Sequence, residues 1–355
     1  MIPLCKPEFN EEMKNEATAA LENEHFVLGE SVFKFEEEFA RYIGTKYAVA
    51  LNSGTAALQL ALYALGIGKR HQVITPVNSF IATANAITIT GAVPCFVDSD
   101  LSDCNIDVSL IKSNGASAIL PVHLYGNPCK MKELSEIAYD KKMFLIEDAC
   151  QAHGAEYRGR KVGSIGDIGC FSFYPTKNMT VCGDGGMVTT NDEELRDKIV
   201  SMRDCGRAKG VRYLHNILGY TMRLNTVNAA IGRVQLRYLD NWNERRHRIA
   251  AIYNKNLPAD IRLTETSGAK PVYHLYVIKS PIREKIRAYL EKKGISTAIH
   301  YPLPIHKQPI YSQYCSQSFK NAELLASSVL SIPIYPSMSE DEAHFIADTI
   351  KEVLR

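Results

Sequence analysis

The sequence predicts an α/β protein. A large domain is built on a mostly parallel, mixed sheet covered by helices on both faces, and a small α+β domain closes the chain. Three observations predict it. Between residues 47 and 148, short β-branched runs alternate with amphipathic stretches, as in repeated βαβ units. Long helical patterns then occupy 192–204 and 225–256. The last hundred residues return to a strand, a helix, a strand with a loop, and a closing helix after Ser339.

In chain order, two helical patterns open the sequence, about 9–24 and 30–43, parted by Gly29. YAVALN (47–52) reads as a strand, and Ser53 and Gly54 then open a helix rich in Ala and Leu that runs to about Leu65. QVITP (72–76) is the next strand, followed by a helix from about Ser79 to Ile89. VPCFVD (93–98), ASAILPV (116–122) and MFLIED (143–148) repeat the pattern, with a helix near 130–140 before the last. IGCFSFYP (168–175) and GGMVTT (185–190) add strands. The helix over 225–256 is expected to break near Asp240, and VYHLYVIK (272–279) reads as a strand. The expected domains are 1–245 and 246–355.

Composition excludes several classes. The chain has 355 residues, 46% hydrophobic and 23% charged, which is ordinary globular usage and enough length for a large core. Its 41 basic and 39 acidic residues are interspersed, which speaks against nucleic-acid binding. The short run Arg245, Arg246, His247, Arg248 reads as a solvated helix face. Nine scattered cysteines, Cys315 the last, form no Cys-x-x-Cys pair, so no metal site is expected and a reducing compartment fits. With no signal-peptide pattern and no apolar run approaching membrane-spanning length, the reading is a soluble, cytoplasmic protein.

In open parallel sheets, ligands sit beyond the carboxyl ends of strands. Ser53-Gly54-Thr55 opens a helix after the first strand, where free N–H groups and the helix dipole favour a phosphate. A plain Ser cap is the commoner meaning of such a start. No G-x-x-x-x-G-K-[ST] loop or G-x-G-x-x-G run is present, which disfavours nucleotide hydrolysis and dinucleotide chemistry. Asp148 ends an apolar strand, and Lys177 follows an aromatic-rich one that contains Ser172. Alone, the first reads as a strand-end acid or cap and the second as a surface lysine. Together they are the two groups that pyridoxal phosphate chemistry requires: a carboxylate for the ring nitrogen, and an amine that holds the aldehyde as an imine and then shuttles a proton.

Several stretches carry a resemblance across nearly the whole chain: ALNSGTAALQLAL, VITPVNSFIATANAI, PVHLYGNP, LIEDACQAHGAEYRGRKVGSIGD, FSFYPTKNMTVCGDGGMVTTND and IHYPLPIHKQP. The sequence resembles the sugar aminotransferases of the DegT/DnrJ/EryC1/StrS family, within the aspartate-aminotransferase superfamily of fold type I. The resemblance implies pyridoxal 5'-phosphate, cycling with its pyridoxamine form, as cofactor. Lys177 matches the Schiff-base lysine, Asp148 the acid at the pyridine nitrogen, and Gln151 a polar residue beside the cofactor's O3′. Phe80 matches the stacking aromatic, and Gly54, Thr55 and Ser172 the phosphate cradle. Tyr174, His300, Tyr301 and His306 match positions near the sugar-nucleotide pocket.

The segment LGYTMRLN (218–225) matches one that enters the neighbouring subunit's site, so Arg223 would serve the partner of a homodimer. Many relatives carry Asn where Thr221 stands, and threonine donates over a shorter reach. Lys177 also separates the chain from related sugar dehydratases, which carry His there. The implied reaction moves an amino group from an amino acid, L-glutamate being expected, to a nucleotide-linked keto sugar by ping-pong kinetics through the Lys177 imine. The run Gly183-Asp184-Gly185-Gly186 leans toward amination at C3 rather than C4. A keto-cyclitol acceptor is the alternative, and a non-catalytic cofactor-binding regulator a distant one.

Overall fold

The computed structural model describes residues 1–112, 115–314 and 317–355; Cys315 lies outside the described residues. Helices α1 (Glu11–Asn23) and α2 (Glu30–Ile43) lead into strand β1 (Tyr47–Leu51) and helix α3 (Gly54–Ala64). Next come β2 (Gln72–Pro76), α4 (Ala82–Ile89), β3 (Val93–Val97), β4 (Ala118–Ile119), α5 (Met131–Asp140) and β5 (Phe144–Asp148). Two short strands, β6 (Glu156–Tyr157) and β7 (Arg160–Lys161), precede β8 (Ile168–Ser172), β9 (Gly186–Thr190) and α6 (Glu193–Arg203). Helix α7 (Thr226–Asn256) leads on to β10 (Ala269–Lys270), β11 (Tyr276–Lys279), α8 (Arg283–Lys292), α9 (Lys320–Ser328), β12 (Val329–Ile332) and α10 (Glu340–Leu354).

The main sheet has the order β1-β9-β8-β5-β4-β2-β3. β9 is antiparallel to both its neighbours, and the other pairings are parallel. This is the expected mostly parallel, mixed sheet. Alternate side chains point to opposite faces, and each face buries its own core. Ala48, Ala50 and Phe171 join Phe35, Phe39 and Leu239 on the side of α2 and α7. Val49, Leu51, Ile146 and Cys170 join Leu58, Leu62 and Ile199 on the side of α3 and α6. A third core gathers the second half of α7, β11, β12, α8 and α10.

Four expectations need correction. α7 runs unbroken through Asp240, whose carboxylate instead accepts the Tyr42 hydroxyl at 2.5 Å. The strand expected at 116–122 is only two residues long, because Pro121 has no N–H to extend the ladder. β11 begins at Tyr276, after a left-handed residue at Tyr273 (φ +46°). The basic run on α7 is not one solvated face: Arg246 is 3% exposed and donates to the Ile334 carbonyl at 2.9 Å, because this turn of α7 packs against the chain before α10. Among the described residues, no helix is long and apolar enough to cross a membrane.

The end of β5 fixes the site to come. Leu145 lies in a core with α5, so Glu147, two residues on, shares that face. Glu147 is fully buried and accepts from the N–H groups of Gly163 (2.9 Å), Ile165 and Gly166 (both 2.7 Å). His123 accepts the Cys129 N–H at Nδ1, which puts its proton on Nε2, 3.1 Å from Glu147. Burial alone would push the Glu147 carboxyl up. The His123 hydrogen bond and the backbone donors outweigh it and hold the carboxyl below the usual glutamate value. Its stabilising effect is therefore complete above about pH 4.3, the ordinary glutamate value, and is lost as pH falls through the depressed one. Glu147→Gln is expected to lower stability at pH 7 by roughly 3 kcal/mol, since an amide faces donors that need an acceptor. Urea unfolding across pH 3–7 checks this: the variant's stability should fall less steeply below about pH 4.3 than the wild type's.

Candidate active site

All strands of the main sheet except β9 run one way, so their carboxyl ends share a rim. Four segments meet there: Ser53–Thr55 after β1, Ser79 and Phe80 after β2, the stretch from Asp148 to Gln151 at the end of β5, and the stretch from Ser172 to Lys177 at the end of β8. With His274, Leu275, His300 and Tyr301 from the C-terminal part, they line a cavity of about 510 Å³.

Each segment is held by local chemistry. The Ser53 hydroxyl caps α3 by accepting the Ala56 N–H at 3.1 Å. Helix geometry leaves the N–H groups of Gly54 and Thr55 without an intrahelical acceptor, facing the rim. Close packing demands glycine here. A Cβ on Gly54 would lie 2.6 Å from Ser172 Cβ and 2.9 Å from Cys150 Sγ. One on Gly186 would lie 2.2 Å from the Ser53 carbonyl oxygen.

Asp148 is 4% exposed and shares the α3 face with Ile146, two residues earlier. Its Oδ2 accepts the Thr83 hydroxyl at 2.8 Å, its Oδ1 the Cys150 N–H at 3.2 Å, and Ser79 Oγ lies 2.9 Å from Thr83 Oγ1. Gln151 is clamped at both ends of its amide. Its Oε1 accepts the Tyr125 N–H at 2.8 Å, and its Nε2 donates to the Tyr301 hydroxyl at 3.2 Å. Lys177 sits in a turn closed by its N–H on the Tyr174 carbonyl at 2.9 Å. Burial pushes its amine below the ordinary lysine value, while Cys150 and Asp148 partly oppose that fall. A lysine so lowered supplies free amine nearer neutral pH, as a nucleophile and proton carrier must.

Ten of the twelve expected residues line this one cavity: Gly54, Thr55, Phe80, Asp148, Gln151, Ser172, Tyr174, Lys177, His300 and Tyr301. Phe80 and Tyr174 are half exposed, and the Phe80 ring lies 5.8 Å from that of Tyr301. His300 places Nδ1 2.8 Å from the Ser331 hydroxyl, and burial with the nearby Lys177 charge lowers its ring to about 4. His306 is not brought in. It is buried on Phe319 with Nε2 3.1 Å from Glu323, because the short helix it occupies turns it away from the rim. Arg223 also lies outside the cavity lining and pairs with Asp204 in its own chain. Thr221 places its hydroxyl 3.6 Å from Cys205 Sγ.

Sequence reading missed Thr83, Cys150 and His274 as lining residues. Thr83 had a signal, a polar partner in Ser79 four residues earlier in an otherwise apolar stretch. Competitive acetylation of intact protein across pH, read by peptide mass, should place the Lys177 midpoint below that of exposed lysines. Asp148→Asn should lower it further, because a charge that favours the ammonium is gone.

The chain is similar to known proteins over nearly its whole length. The profile of the DegT/DnrJ/EryC1/StrS aminotransferase family matches residues 7–351. The chain is 39% identical to the dTDP-3-amino-3,4,6-trideoxy-alpha-D-glucose transaminase of Streptomyces venezuelae, covering 96% of this chain and 93% of that one. The structure of S. venezuelae DesV in complex with a ketimine intermediate superposes with a TM-score of 0.96 at 37% identity, over 100% of this chain and 99% of that one. NtdA from Bacillus subtilis with bound cofactor PMP superposes at 0.91 and 33% identity, over 97% and 81%. A rim that gathers a depressed lysine, a strand-end aspartate and a glycine-opened helix, and a match over nearly the whole length, establish that the chain belongs to the DegT/DnrJ/EryC1/StrS aminotransferase family.

Proposed function

We propose that the chain is a pyridoxal-phosphate-dependent aminotransferase that moves an amino group from an amino acid, L-glutamate, to a keto sugar carried on a nucleotide. One observation carries the reading. The lowered amine of Lys177 and the held carboxylate of Asp148 share one cavity with the free N-terminus of α3. The residues fit the cofactor. The space a Cβ on Gly54 would fill is closed by Ser172 and Cys150, so backbone N–H groups and hydroxyls gather at one end, as a phosphate needs. Asp148 accepts two protein hydrogen bonds and keeps further acceptor capacity for a protonated ring nitrogen.

When bound, pyridoxal phosphate supplies an electron sink next to the substrate carbon. The chain does the rest. Gly54, Thr55 and Ser172 would hold the phosphate, Phe80 would offer a stacking face, and Gln151 would serve the ring hydroxyl. Lys177 would hold the cofactor through its amine and would carry a proton at its Nζ, which burial keeps below the ordinary lysine value. Lys177 would serve both half-reactions at one site, and with the donor's product leaving before the acceptor enters the kinetics would be ping-pong. Tyr174, His300 and Tyr301 receive the sugar end. A homodimer would bring the 218–225 segment and Arg223 to the partner's site. The S. venezuelae relative, named for a 3-amino sugar, supports a nucleotide-linked acceptor and amination at C3.

Borohydride reduction of cofactor-loaded protein should attach the cofactor covalently to the peptide that contains Lys177. Lys177→Ala should lose both that adduct and the visible cofactor band, with transamination reduced at least about 1,000-fold. Loaded wild type with no adduct contradicts the reading. Screening keto sugars linked to dTDP, UDP or GDP against keto-cyclitols then fixes the acceptor. Faster turnover of a cyclitol than of every nucleotide sugar would move the assignment.

A further inference from the structure

The cavity wall contains an imidazole with an unmet hydrogen bond. His274 lines the cavity, is 6% exposed, and has an Nδ1 sealed from solvent without a partner. The residue before it, Tyr273, takes a left-handed φ of +46°, a conformation that costs an aromatic residue free energy and marks local strain. Gly126 fits between this segment and Gln151. A Cβ there would meet His274 N at 2.9 Å and the Gln151 carbonyl oxygen at 3.0 Å. The backbones of His274 and Gln151 are thus held one glycine apart.

A neutral imidazole has one donor nitrogen and one acceptor. A buried N–H without a partner is rarer and costlier than an under-used acceptor. The proton therefore belongs on Nε2, and the sealed Nδ1 keeps its lone pair. Burial, then the charges of Lys177 and Arg246, hold the ring well below the usual histidine value, so it is uncharged at neutral pH. Leaving the imidazoles aside, Lys177 is the one cationic side chain among the described residues that line the cavity, against the carboxylates of Asp148 and Asp184. An amino-acid donor must bring its α-carbon to Lys177, and its carboxylate comes with it. A neutral N–H donor can receive that carboxylate without adding a second positive neighbour to an amine that must lose its proton.

We propose that His274 is a specificity-determining residue that donates its Nε2–H to a carboxylate of the amino-acid donor. This rests on the aminotransferase reading above. The test is calorimetric titration of cofactor-loaded protein with glutarate, a dicarboxylate that lacks the amino group, beside the donor and acceptor KM values. His274→Phe should raise the glutarate dissociation constant and the donor KM about 10-fold or more and leave the acceptor KM within about 2-fold, while His274→Gln, which keeps an N–H donor, should stay within about 3-fold of wild type. Borohydride labelling at Lys177 should persist in both. Where Phe is not tolerated, His274→Leu replaces it with the same expected loss. Wild-type glutarate affinity in a labelled His274→Phe protein overturns the role of His274 alone. So does an equal loss in the Phe and Gln variants, or a loss confined to the sugar acceptor. Wild-type protein that fails Lys177 labelling overturns the aminotransferase reading itself, and this role with it.

Discussion

β5 ends on two adjacent carboxylates that the pleat sends to opposite faces of the sheet, and the rim is organised around that division. Glu147 is saturated: three backbone N–H groups and His123 take up its acceptor capacity. That network fixes the 163–166 turn to the strand and leaves the end of β5 little freedom to move. Asp148 is only half satisfied, by Thr83 and the Cys150 N–H. A buried carboxylate with spare acceptor capacity is costly unless something meets it, and its place at the rim makes a ligand the natural partner. One strand end thus carries a saturated carboxylate and an unsaturated one side by side.

The same rim depends on how closely α3 can approach β8. Glycine at 54 and 186 lets the capped start of α3 lie against Ser172 and lets β9 lie against Ser53. A side chain at either position would force the helix and the strand ends apart and admit water beside Lys177. The lowered amine of Lys177 comes mainly from burial, so wetting it would raise it toward the ordinary lysine value. Backbone packing and amine chemistry are one constraint here. The C-terminal part adds the last wall through Tyr301, which Gln151 ties to the end of β5.

Much of this was legible in the sequence because it follows from period and position. The strands over 47–51, 72–76, 93–97, 144–148 and 168–172 were readable as apolar runs between turn signals, and parallel topology alone put Ser53, Asp148 and Lys177 on one rim. What escaped depends on tertiary contact. Arg246 looked like one of four solvated basic residues until the chain before α10 covered it. His306 shares a stretch with His300 and Tyr301, yet a short helix buries it against Glu323. α9 is only nine residues long and rests on buried Ala322, Leu325 and Ala326. His274 sits in what reads as a continuous strand, and only the left-handed Tyr273 reveals that the chain turns there.

The most direct measurement is solvent exchange of the donor's α-hydrogen. Cofactor-loaded protein is incubated with L-glutamate in deuterated water without any acceptor, and the α-proton signal is followed by NMR. If Lys177 carries the proton and Asp148 supports the cofactor ring, the wild type should wash out the α-hydrogen, while Lys177→Ala and Asp148→Asn, each still folded, should not. Exchange that persists in Lys177→Ala, or that is absent from fully loaded wild type, would contradict the roles given to this pair.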